Sequence, residues 1–83
     1  MNPIVLKIEF ADDTTKEVST SAADLIAFEE RFDMSIAQLE KNIRMTHLFF
    51  LAWHASKRTG ATKDDFEKWV EGVGMVTIGD VKK

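Results

Sequence analysis

Cysteine is absent from the 83-residue sequence. That excludes disulfides, thiolate chemistry and zinc ribbons together, leaves hydrophobic packing to hold the fold, and points to a reducing compartment. A long apolar run is also absent. The longest, Leu48 to Trp53, falls far short of the roughly 20 residues that a membrane-spanning helix needs. The N-terminus lacks a basic region followed by an apolar core, so a cytosolic location without membrane association is expected. Positive charge is scarce: 11 Lys and Arg stand against 14 Asp and Glu, for a net charge of −3. Nonspecific phosphate binding rests on many Lys and Arg contacts, so no nucleic-acid partner is expected.

Catalytic signatures are missing too. No nucleophile elbow, phosphate-cradling glycine loop or carboxylate pair in an apolar context occurs. Ser35, Ser56, His47, His54 and several Asp residues can be named for a hydrolase, but any chain of this length supplies such a set. His47 and His54 share one helix face, yet seven residues correspond to about 10 Å of rise, too far for both to bind one ion. The acidic pairs read as structure: Asp12 and Asp13 suit a turn, Glu29 and Glu30 a solvated face, Asp64 and Asp65 the first turn of a helix. None has calcium-loop spacing. The expectation is a protein with no catalytic residues, no metal and no cofactor.

What is present is an ordinary globular composition, 45% hydrophobic and 30% charged. A chain this short makes one domain that buries only about 60 to 65% of its unfolded surface, so its stability is modest. "PIVLKIEF" puts Ile4, Leu6, Ile8 and Phe10 on one face and Val5, Lys7 and Glu9 on the other, the pattern of a half-buried strand. "ADDTT" reads as a turn, longer than a two-residue one because it lacks glycine, and "TKEVS" as the returning strand. A lone hairpin is marginal in water and must lay its apolar face on helices.

Ser21 with Asp24, then Leu25, Phe28 and Phe32, opens a first helix. Ser35 with Gln38 predicts a second start, for a helix running to Arg58 with Gly60 at its C-terminus. Its first half is amphipathic through Ile36, Leu39 and Ile43; from Met45 onward apolar residues point in every direction. Thr62 with Asp65 predicts a third helix with the stripe Phe66, Trp69, Val70, Val73. The tail "MVTIGDVKK" is either a strand added to the hairpin edge or a loose end. The expected fold is therefore α+β: an N-terminal hairpin on a three-helix, mostly α domain with a flexible C-terminal tail. Its expected bounds are hairpin about 3–19 and helices about 22–32, 36–58 and 63–72, within one domain 1–73 followed by a tail 74–83.

The order "DLIAFEERFDMS", "LFFLAWHASKRTG", "DFEKWVEGV" resembles the small tail assembly chaperones of long-tailed bacteriophages, particularly those of actinobacterial phages. The resemblance covers most of the chain and rests on packing motifs: Phe28 and Glu29, the Leu-Ala-Trp helix ending in Lys57, Arg58 and Gly60, and the last helix with Phe66 and Trp69. It implies a non-enzymatic assembly factor in the host cytoplasm. Such a factor binds the mostly helical tape-measure protein, helps recruit tail-tube subunits, then leaves; a homo-oligomer and a longer frameshifted product also fit. The all-round apolar helix would then present one side to helical client segments. Phe49, Trp53, Leu48, Met45 and Trp69 are the expected partner-binding residues, with Phe50 in the core, while Trp69 has a second reading as a core anchor. Two other readings stand beside this one: a small DNA-associated protein of helix-turn-helix type, and a structural virion subunit. The first suffers from a recognition helix holding Asp64, Asp65, Glu67 and Glu71 against only Lys63 and Lys68.

Overall fold

A computed structural model describes residues 5–35, 38 and 44–79. The alternation read from the N-terminal segment forms β1, Val5–Phe10, with Leu6 and Ile8 fully buried and Lys7 and Glu9 exposed. β2, Thr15–Ser19, returns antiparallel, pairing Leu6 with Val18 and Lys7 with Glu17. The turn between them works without glycine because Asp13 takes the left-handed conformation (φ 73°), which Asp tolerates better than most residues. Asp12 Oδ1 fixes it by accepting from Thr14 N–H at 3.1 Å and Thr14 Oγ1 at 2.6 Å.

Helix α1 is Ala22–Phe32, the range expected. Helix α2 is Met45–Arg58, and this corrects the continuous helix expected over 36–58. Arg44 has extended backbone (φ −120°, ψ 157°), so no helical ladder passes through it, and the change of apolar pattern at Met45 marks a new helix. Ser35 and Gln38 do form a reciprocal capping box, Ser35 N–H to Gln38 Oε1 at 2.8 Å and Gln38 N–H to Ser35 Oγ at 3.2 Å. The expected stripe of Ile36, Leu39 and Ile43 lies outside the described residues. At the other end of α2, Gly60 (φ 85°) closes a Schellman motif. Its N–H donates to Lys57 O at 3.2 Å, and Ala61 N–H donates to Ser56 O at 2.8 Å.

Helix α3 is shorter than the expected 63–72, spanning Phe66–Glu71. Asp65, not Thr62, is its cap, with Oδ1 accepting from Lys68 N–H at 2.9 Å. Of the two readings of the tail, the added strand holds over Val73–Ile78, which corrects the flexible tail expected there. Val73–Ile78 is β3, antiparallel to β1, and the sheet runs β2-β1-β3 with the N-terminal strand in the centre. A register shift at Glu9/Phe10 breaks the simple alternation of β3, yet Val76, opposite Ile8, is fully buried.

The result is a small α+β domain: a three-stranded antiparallel sheet with helices packed on one face. Leu6, Ile8, Val18 and Val76 from the sheet meet Leu25 and Phe28 of α1, Leu48, Phe50, Leu51, Ala52 and Ala55 of α2, and Trp69 of α3. The outer face carries Lys7, Glu9, Glu17 and Thr77 and is exposed. Among the described residues, no helix is long and apolar enough to cross a membrane.

Candidate interaction site

Residues four apart on a helix lie one above the other. Met45 and Phe49 do so on the first turns of α2, and Phe66 and Val70 do so on α3; with Thr46 these two pairs line an open cleft of about 290 Å³. Phe49 and Val70 are half-buried, and Met45 is 46% exposed. The floor is rigid. Phe49 meets Trp69 edge-on at 6.3 Å, and Phe66 meets Trp53 at 5.7 Å and Phe50 at 6.2 Å between ring centres. The lining is almost wholly apolar, so the cleft offers contact area without catalytic groups. Its volume lies at the low end of small-molecule sites and is suited to one or two apolar side chains.

The five expected partner-binding residues divide by exposure. Met45 and Phe49 line the cleft. Leu48 and Trp69 are buried in the core, Trp69 as the floor under Phe49. Trp53 is half-buried and engaged: its Nε1–H donates to the Asp64 carbonyl at 2.9 Å, and the Lys57 ammonium lies 5.3 Å over its ring. It pins the segment before α3 to α2. Phe66 and Val70, read from sequence only as part of an apolar stripe, complete the cleft. Only the pairing of two helices, invisible in either stripe alone, gives them that place.

A polar cluster lies between α1 and the end of α2. Asp24 is fully buried, and its carboxylate meets His54 Nδ1 at 2.5 Å, Arg58 Nη2 at 3.1 Å and Ser21 N–H at 2.8 Å. With the carboxylate ionised, Nδ1 is the donor nitrogen of His54. Burial pushes the Asp24 carboxyl up, but the bonds from Arg58, His54 and Ser21 outweigh it and hold the group below the usual carboxylate range. Arg58 also donates to the Ser19 carbonyl at 3.1 Å, tying β2 into the cluster. Sequence gave Asp24 a capping role only; its partners stand 30 and 34 residues away.

His47, which shares a face with His54, has a different setting. It is buried edge-on against Phe28 at 5.3 Å and Phe32 at 4.9 Å, and its Nδ1 has no hydrogen-bond partner. Burial, then the Arg44 charge, pushes its pKa below the ordinary value. Among the described residues, no group of three or more His, Asp or Glu is placed to hold a metal ion. Compared with protein-family models, curated proteins and solved structures, the chain matches none.

Proposed function

We infer that the chain is a tail assembly chaperone of a long-tailed bacteriophage, acting in the host cytoplasm. It binds apolar helical segments of the tape-measure protein, helps recruit tail-tube subunits and leaves before the particle is finished. The resemblance in the three helical segments supplies the family, and one observation carries the binding mode: two i, i+4 apolar pairs face each other across an open cleft. An amphipathic helix recognised by a groove presents anchors at the same three- and four-residue spacing, so one of its apolar side chains seats between Met45 and Phe49 on one wall and Phe66 and Val70 on the other. The DNA-binding reading is weaker, because α3 has only six residues, Glu67 and Glu71 among them, and follows directly on Asp64 and Asp65.

Co-expression with the tape-measure protein tests the reading. A tagged wild-type chain is expected to hold the tape measure in solution. A Met45→Asp, Phe49→Asp variant, with folding checked by circular dichroism, is expected to release it to the insoluble fraction. A wild-type chain that leaves the tape measure insoluble and unbound overturns the proposal. Retention of the chain in purified particles would instead favour a structural virion subunit. Apolar client binding should survive moderate salt, whereas phosphate-driven binding would weaken steeply.

A further inference from the structure

Because β1 is paired on both sides, the sheet has two outer strands, β2 and β3. Their chemistry differs. β2 carries Lys16 and Glu17, the kind of charge that discourages a further strand. β3 carries no charge and exposes two large apolar side chains, Met75 at 40% and Ile78 at 46%. The ladder also fixes which backbone groups face away from β1, where among the described residues no further strand pairs. Gly79 N–H donates to the Val5 carbonyl at 2.7 Å, so by the two-residue period Thr77 bonds toward β1, and the N–H and C=O of Val76 and Ile78 point to the outer edge. On the helix-covered face, Val18, Leu6 and Ile78 stand in one cross-strand row. Leu6 is fully buried while Ile78 is not, so the apolar row ends uncovered at β3.

We propose that β3 pairs with the β3 of a second copy of this chain, antiparallel about a two-fold axis at Thr77, to make one six-stranded sheet. This proposal is independent of the client reading. The edge is its own complement. In that register Val76 exchanges backbone hydrogen bonds with the partner's Ile78, and Ile78 does so with the partner's Val76, which lengthens the apolar row on the inner face. On the outer face Met75 stands opposite the partner's Gly79, and Thr77 opposite the partner's Thr77, a side-chain pair that hydrogen-bonds well across strands. No charge meets a like charge along the junction. One strand from each side makes a small interface, so the dimer is weak and depends on concentration.

The absence of cysteine makes the test specific. Directly opposed, non-hydrogen-bonded residues of antiparallel strands have Cα atoms about 4.5 Å apart, within reach of a disulfide. Under mild oxidation a Thr77→Cys variant is therefore expected to give about tenfold more linked dimer than Glu17→Cys on the β2 edge. Thr77 is exposed, so the substitution spares the core. In parallel, sedimentation of the wild type is expected to show a mass rising from the 9.4 kDa of one chain toward twice that value as concentration increases. A mass that stays at one chain leaves the edge to a strand of another protein and overturns the proposal. So does a dimer whose Thr77→Cys variant links no faster than Glu17→Cys, since it is joined through another surface.

Discussion

Single side chains in this domain carry opposite kinds of polar burial. Asp24 is buried with partners on every side, whereas His47 is buried among Phe28 and Phe32 with one ring nitrogen unpaired. For His47 the sign of the pH effect follows from linkage. Its folded pKa lies below the unfolded value near 6.5, so the unfolded chain takes up the proton first, and stability falls as pH drops below about 6.5 until the folded form is protonated too. Urea midpoints measured between about pH 7.5 and pH 5 should fall toward acid in the wild type, and a His47→Leu variant should lose most of that slope. Little of this was legible in sequence. A histidine in an apolar helix is visible at once, but its burial depends on two rings of α1 that close over it.

The elements fall into those written in local pattern and those set by distant contacts. Leu6 and Ile8 announce β1 by alternation, and Ser21 with Asp24 announces α1, because both signals span a few residues. Local pattern left the break at Arg44 and the pairing of β3 undecided. The apolar pattern changes at Met45 without showing that one helix ends there, and the choice between edge strand and loose end for the tail is settled only by Val76 lying opposite Ile8 of a strand near the other end of the chain. The link between α1 and α2 is equally non-local. Arg58→Ala leaves the buried Asp24 carboxylate to His54 and Ser21, and should lower stability by roughly 2 kcal/mol. That is less than the 3 to 5 kcal/mol of a fully buried pair, because Arg58 is about one-third exposed. Asp24 has a depressed folded pKa, so its contribution is present above the unfolded value near 3.9 and is lost as pH falls through the folded one. The gap between wild type and variant should therefore be full at neutral pH and close in acid.

Taken whole, the molecule is a two-layer domain, and the two proposals use different surfaces of it. The cleft between α2 and α3 suits an apolar helix; the β3 edge suits a strand. Of the residues picked from sequence for partner binding, Met45 and Phe49 line the cleft, while Leu48 and Trp69 lie in the core. Composition explains the difficulty. In a short chain with an all-round apolar helix, core and interface draw on the same side chains, and only the packing of the neighbouring helices separates them. The most direct test uses the methionine methyl groups as reporters, with a helical tape-measure segment titrated into the chain. Met45 lines the cleft and Met75 lies on the outer face of the sheet, away from the helices. A saturating shift of the Met45 methyl resonance with Met75 unmoved is the expected result. No shift at Met45 under saturating segment, or a shift at Met75 alone, would mean that the cleft does not receive the client.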